Sequence, residues 1–117
     1  MKSFVIVSSD RAVSSELCSK VNSMFKGSTV FAFASGASVI ESIDGLEPDA
    51  IIWDGIHAPL DHNLLRYLSQ NGFKGKLIIV VQDVSKEARR KAKQDLGIDI
   101  VRHPLSDDAL RRVVMGG

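Results

Sequence analysis

Asp54 has the type and setting of a functional residue, because it ends the apolar run at residues 50–53. Such a run predicts a buried strand, and the residue at the carboxyl end of a buried parallel strand lies where ligands of such sheets collect. A carboxylate at that point is a candidate functional group, and the alternative is a side chain that only caps the next turn. The local sequence leaves both interpretations open.

Other residues with ligand chemistry are three histidines and a second carboxylate, namely His57, His62, His103 and Asp61. Two histidines on one loop are a weak metal signal, so we interpret the loop histidines as surface residues and expect no metal. The chain has no glycine-rich phosphate cradle and no G-x-S-x-G hydrolase motif. We therefore expect neither a cofactor nor an enzymatic activity.

The composition indicates one globular domain, with 117 residues, 44% apolar residues and a net charge of +1. This charge does not favour a surface built for nucleic acid or membrane. The only cysteine, Cys18, allows no internal disulfide, and no apolar run is long enough for a signal peptide or a membrane span. We expect a cytoplasmic domain over residues 1–115, with residues 116–117 as the start of a linker or a cut end.

Five apolar runs must form the strands that position Asp54, at residues 4–7, 29–33, 50–53, 77–81 and 98–101. Most are continuous rather than alternating, which is typical of a parallel sheet with helices on both faces. The second and fifth runs are less apolar and are predicted nearer the sheet edges.

Helical patterns lie between and after these runs. Their predicted N-caps are Asp10, Ser35 or Ser38, Ser85 and Ser106, and glycines at 45, 72 and 97 are predicted to end three of the helices. The strand–helix alternation predicts an α/β fold, a doubly wound five-stranded parallel sheet sandwiched by five helices.

In this element order and in the spacing of four strand ends, the chain resembles the receiver domain of bacterial response regulators, which is flavodoxin-like. The resemblance covers nearly the whole chain and rests on no specific motif string. It implies that Asp54, in "IIWD", occupies the phospho-acceptor position.

The first strand departs from that family's pattern at its end. The family has an acidic pair there that holds Mg²⁺, whereas this chain has Ser8 and Ser9, followed by Asp10. Neutral hydroxyls bind this cation poorly, because Mg²⁺ prefers carboxylate oxygens.

The fourth and fifth strands depart as well. Val81 stands where the family has a hydroxyl residue, Ile100 replaces an aromatic switch residue, and His103 replaces a lysine. The proline after that lysine is kept as Pro104, for which the resemblance implies a cis peptide.

Phosphoryl transfer needs positive charge near the equatorial oxygens, so these losses predict an atypical receiver, or pseudo-receiver. A neutralised hydrogen-bonded cluster of Ser8, Ser9, Asp54 and His103 is a hypothesis from the expected positions. The predicted role is bacterial two-component-type signalling by protein–protein interaction, regulating an attached or partner output module without phosphorylation. The alternatives are a functional receiver phosphorylated on Asp54 in a phosphorelay, and a flavodoxin-like nucleotide- or flavin-binding domain.

The face made by the fourth helix, fifth strand and fifth helix is the predicted interaction surface. Its charged residues are Arg89, Arg90, Lys93, Asp99, Asp107 and Arg111. The mixed charge suits a protein partner, which is a sensor, an output domain or a second copy in a homodimer. Nucleic acid is expected only through a separate domain. On the fourth helix, Ala88, Ala92 and Leu96 are predicted to face inward.

Overall fold

The structure is a computed structural model that describes residues 2–115. The predicted linker or cut end at residues 116–117 lies outside this range. Five strand–helix pairs follow one another: β1 (Ser3–Val7), α1 (Arg11–Met24), β2 (Thr29–Phe33), α2 (Gly36–Leu46), β3 (Ala50–Asp54), α3 (His62–Gln70), β4 (Lys76–Val81), α4 (Lys86–Leu96), β5 (Ile98–Arg102) and α5 (Asp107–Met115).

The strands form one fully parallel sheet in the order β2-β1-β3-β4-β5, which confirms the predicted doubly wound α/β fold. The less apolar strands β2 and β5 are the two edges, as expected. The order reverses between β1 and β3, and this switch point is where open parallel sheets bind ligands. The register places Val7 beside Trp53, and Asp54 beside Val80, so the ends of three strands meet there.

The sheet is buried on both faces, which explains why its central strands are continuously apolar. On one face, Leu17 and Val21 of α1 join Leu110 and Val114 of α5 in a core cluster with strand residues such as Ile52. On the other face, α2 and α3 contribute a second cluster through Val39, Ile43, Leu64 and Leu68. These two clusters fix the sheet that positions Asp54.

Side-chain caps begin the helices where the sequence predicts them. Asp10, Ser35 and Ser85 accept backbone N–H groups at the starts of α1, α2 and α4, and Ser106 Oγ accepts the Ala109 N–H at the start of α5. Of the two serines proposed for α2, the cap is therefore Ser35, and Ser38 donates its N–H to that hydroxyl at 3.2 Å.

The predicted end of α2 at Gly45 is wrong. The helix continues to Leu46, and Glu47 is its C-cap in the left-handed conformation with φ 44°. The Glu47 N–H bonds to the Ile43 carbonyl, which satisfies one of the last carbonyls of the helix. A glycine inside a helix costs some stability but does not end it unless the backbone turns there.

The prediction that Ala88 and Leu96 of α4 face inward is also wrong. Both are exposed, with 60% of Leu96 accessible, and only Ala92 is partly covered. The helix contributes no fully buried residue, because it lies beside the edge strand β5, where the sheet ends. Within residues 2–115, no helix is long and apolar enough to cross a bilayer.

Candidate functional site

Asp54 ends β3 with a side chain that has no solvent exposure, and its carboxylate is held by the chain itself. The Ser8 hydroxyl lies 2.8 Å from Asp54 Oδ2, and Nδ1 of His57 lies 2.7 Å from the same oxygen. The backbone N–H of Ile56 donates to Oδ1 at 3.0 Å. Both carboxylate oxygens therefore have hydrogen-bond partners, which a buried charge requires.

The pKa of Asp54 lies below its ordinary value. Burial alone raises this pKa because it penalises the charged form. Hydrogen bonds from Ser8, His57 and the Ile56 N–H, together with the positive charge of His57, lower it by more. The environment therefore stabilises Asp54 as a carboxylate.

Asp10 completes the site from the other side of the imidazole ring. Its Oδ2 lies 3.5 Å from His57 Nε2, while its Oδ1 accepts the Val13 N–H at 3.0 Å and caps α1. A protonated imidazole donates from both nitrogens and can serve both carboxylates, whereas a neutral ring donates to only one. His57 thus lies between Asp10 and Asp54, within reach of both carboxylates. We call Ser8, Asp10, Asp54 and His57 the Asp54 cluster.

The short loop after β3 brings His57 back over Asp54. The Ile56 N–H bond to Asp54 forms a tight turn, of the kind that Asp side chains favour. Gly55 allows it, because a Cβ there would lie 2.9 Å from the Val80 carbonyl oxygen. The indole N–H of the buried Trp53 donates to the Ala58 carbonyl at 3.1 Å and fixes the far side of the loop.

The hypothesised cluster of Ser8, Ser9, Asp54 and His103 is only partly correct. Ser8 bonds to Asp54, but Ser9 is exposed. Within the described residues, His103 has no hydrogen bond or ion pair with Asp54; its backbone N–H bonds to the Val81 carbonyl. The resemblance placed His103 at the lysine position, but the Asp54 cluster contains His57 and not His103.

The interpretation of His57 as a surface residue is correct for its exposure, since its side chain is 37% exposed, but its contacts with Asp54 and Asp10 were not predicted. The available signal was its position three residues after Asp54, in a loop that begins with glycine. The cis peptide predicted for Pro104 is present at the His103–Pro104 bond.

The residues at the switch point do not fit the Mg²⁺ that the receiver resemblance implies. Asp10 is directed to the α1 cap and to His57, and Ser8 to Asp54. No three acids, histidines or cysteines of residues 2–115 are arranged as metal ligands. A hard divalent cation would have to displace His57 and would find too few carboxylates.

The predicted interaction surface is divided between two neighbourhoods. A groove of about 690 Å³ between α4, β5 and α5 is lined by Arg89, Arg90, Lys93 and Asp99 among others. Asp107 instead forms an ion pair with Lys20 of α1 at 3.0 Å. Arg111 is not among the groove residues, and its guanidinium lies 3.8 Å from Asp108 on the same helix.

Comparisons with known proteins identify relatives in structure only. No protein-family model and no curated protein matches the chain. A proposed pilus assembly-related protein from Burkholderia pseudomallei is 25% identical, with a TM-score of 0.75, covering 97% of this chain and 90% of that one.

Two receiver domains are similar at lower identity. The receiver domain of Francisella response regulator 1452 is 20% identical with a TM-score of 0.78, covering 97% of this chain and 93% of its own. The signal receiver domain of a proposed LuxO repressor from Vibrio parahaemolyticus is 20% identical with a TM-score of 0.78, covering 97% and 86%. The chain therefore has the flavodoxin-like receiver fold of two-component signalling proteins.

Proposed function

We propose that this chain is an atypical receiver domain that acts by protein–protein interaction, with a state that does not depend on phosphorylation of Asp54. The observation that carries the proposal is that both Asp54 oxygens are engaged by hydrogen bonds within the chain, to Ser8, His57 and the Ile56 N–H. A phospho-acceptor must present one oxygen to the incoming phosphorus, with a cation to neutralise the developing charge.

The rest of the site supports the same proposal. Val81 has no hydroxyl to donate to a phosphoryl oxygen, and the side chain of Asp54 is inaccessible to solvent. Attack by Asp54 would require loss of the Ser8 and His57 hydrogen bonds in a buried position, where an unpaired charge is costly. The Asp54 cluster is thus suited to a fixed structural role.

Beryllofluoride with Mg²⁺ tests this proposal, because it imitates an aspartyl phosphate without chemical turnover. We expect the amide resonances of the ¹⁵N-labelled chain to be unchanged by beryllofluoride and Mg²⁺, both around Asp54 and in α4. Asp54→Asn serves as the negative control. Shifts at both places in the original chain and not in the variant would restore the functional receiver with phosphorylated Asp54.

The flavodoxin-like alternative has a separate readout. Copurified flavin or nucleotide would give the purified chain an absorption band that the protein lacks. Such a band, with a stoichiometric ligand, would replace the signalling proposal by a ligand-binding one.

The proposed output is control of an attached or partner module through the face of α4, β5 and α5. In an assay of output regulation, we expect Asp54→Asn to leave the output unchanged. The double charge-reversal variant Arg89→Glu with Arg90→Glu should change it. The opposite pattern would support a phospho-switch.

A role in pilus assembly is a second candidate, favoured by the 25% identity to the Burkholderia pseudomallei protein over 97% of this chain. Deletion of the coding region should then reduce surface pili seen by electron microscopy, and restoration of the gene should recover them. Unchanged pili would remove this candidate and leave the signalling proposal in place.

A further inference from the structure

The groove between α4, β5 and α5 is strongly basic although the whole chain is nearly neutral. Its cationic side chains are Lys86, Arg89, Arg90, Lys93, Arg102 and Arg112. Among the described residues its one carboxylate is Asp99, which already lies 3.0 Å from Lys93 Nζ. Arg102 has only a long contact of 3.7 Å with the exposed Asp83. The groove therefore has a large excess of positive charge.

The same groove also has an apolar lining between α4 and α5. This lining consists of Ile98, Ile100, Val101, Pro104, Ala109 and Val113. Ile100 and Val113 are partly exposed and Pro104 is exposed, so apolar surface remains available there. A ligand that gains from this groove must be acidic and must also carry apolar side chains.

We propose that this groove binds an acidic amphipathic segment of another protein, with carboxylates facing the α4 and α5 cations and apolar residues on the β5 side. The inference rests on the proposed function for the use of this face in protein contact, and adds the chemistry of the partner. Charge complementarity carries it, because the groove's excess of cations has few carboxylates of this chain to pair with.

Two other occupants fit these observations less well. A second copy placed groove to groove would bring two basic surfaces together, and the acids predicted to balance them are used elsewhere, Asp107 by Lys20 and Asp99 by Lys93. Nucleic acid would match the charge but would gain nothing from the apolar lining.

Helix α4 supplies an independent readout of binding. It has no fully buried residue, so its amides have little protection from the core. A segment lying in the groove would cover α4 and β5 together. Binding should therefore slow hydrogen exchange in α4 more than in α1, which is on the opposite face of the sheet.

The probe is a helical peptide with leucines at i, i+3, i+4 and i+7 and glutamates on its other face. The control peptides are a sequence-scrambled version and a polyglutamate without leucine. We expect saturable binding of the amphipathic peptide, slower exchange in α4, and at least tenfold weaker binding by the scrambled peptide. Reversing the charge of two groove residues, in Arg89→Glu with Arg90→Glu, should weaken binding of the amphipathic peptide about tenfold. The matched control, Lys26→Glu with Lys74→Glu, should change it less than twofold.

Three results would overturn the inference. They are equal binding of all three peptides, tighter binding of a short DNA duplex than of the peptide, and self-association abolished by the Arg89 and Arg90 reversal. If the amphipathic peptide does not bind and beryllofluoride has no effect, this inference is rejected and the proposal of a phosphorylation-independent receiver is kept. If beryllofluoride shifts the resonances and the peptide binds normally, only the proposal of phosphorylation independence is rejected.

Discussion

Nδ1 of His57 lies 2.7 Å from Oδ2 of Asp54, so the buried carboxylate at the switch point of the sheet has an imidazole partner from its own chain. The residues are three positions apart, and the loop that joins them is held by Gly55 and by the Trp53–Ala58 hydrogen bond. The pair lies at the switch point of the sheet, where the resemblance to receiver domains implied a Mg²⁺ site. Its main expected effect is therefore on the stability of the fold.

Replacing His57 by alanine should destabilise the fold, because Asp54 keeps its charge and loses one of its donors. We expect the free energy of unfolding to fall by about 1–2 kcal/mol, at the lower end for a charged hydrogen bond since the ring is partly exposed. Urea unfolding measures this. His62→Ala, at an exposed histidine that begins α3, is the control and should stay within about 0.5 kcal/mol. Equal effects of the two variants would contradict the prediction.

Asp54→Asn should also lower the free energy of unfolding, by about 1–3 kcal/mol, because a neutral amide replaces a carboxylate that accepts three hydrogen bonds. In the double variant with His57→Ala, the two losses should overlap by about 1 kcal/mol, since each removes the same contact. Strict additivity would show that the two side chains do not interact. If Asp54→Asn instead raises the free energy of unfolding, Asp54 is destabilised by repulsion from neighbouring carboxylates.

The low pKa of Asp54 predicts a loss of stability in acid. The folded-state pKa lies below the ordinary value of 3.8, so the unfolded chain binds this proton first as the pH falls. The contribution of Asp54 to stability is complete above 3.8 and decreases as the pH falls towards the lower folded-state pKa. Urea unfolding across this range should show a shallower dependence on pH for Asp54→Asn. The carboxyl carbon shift of Asp54 in an NMR titration locates the pKa directly, and a midpoint above 3.8 would refute the prediction.

Two glycines that differ in backbone conformation should respond oppositely to alanine. Gly45 lies inside α2, and a Cβ added there would have no atom within 4 Å, so Gly45→Ala should raise the free energy of unfolding by about 0.4–1 kcal/mol. Gly97 ends α4 at φ 69°, so Gly97→Ala should lower it by about 1–2 kcal/mol. Thermal unfolding of both variants measures the contrast, and a destabilising Gly45→Ala would show that α2 ends earlier.

Most of the fold could be predicted from the sequence, because each strand and cap is a local pattern. The apolar runs, the caps at Asp10 and Ser85, and the edge positions of β2 and β5 follow from composition alone. Gly45 misled the prediction because a helix can contain a glycine, and the turn was instead made by Glu47. Leu96 misled it because helical spacing does not reveal that α4 lies at the end of the sheet.

The site was less predictable, because its contacts join residues whose spacing does not form a motif. Asp54 and Ser8 were predicted to meet since parallel strands end at the same edge of the sheet. His57 was missed because only the turn at Gly55 and Ile56 determines that its ring returns to Asp54. His103 was assigned by its correspondence to a lysine, but within the described residues the contact it makes is the backbone N–H bond to the Val81 carbonyl.

The hydrogen bond from the Trp53 indole to the Ala58 carbonyl has a practical consequence. Trp53 is the only tryptophan in the chain, immediately precedes Asp54, and is 4% exposed. Its fluorescence is therefore a built-in optical reporter of the loop that carries His57, and opening of that loop would shift the emission to longer wavelength without any added dye.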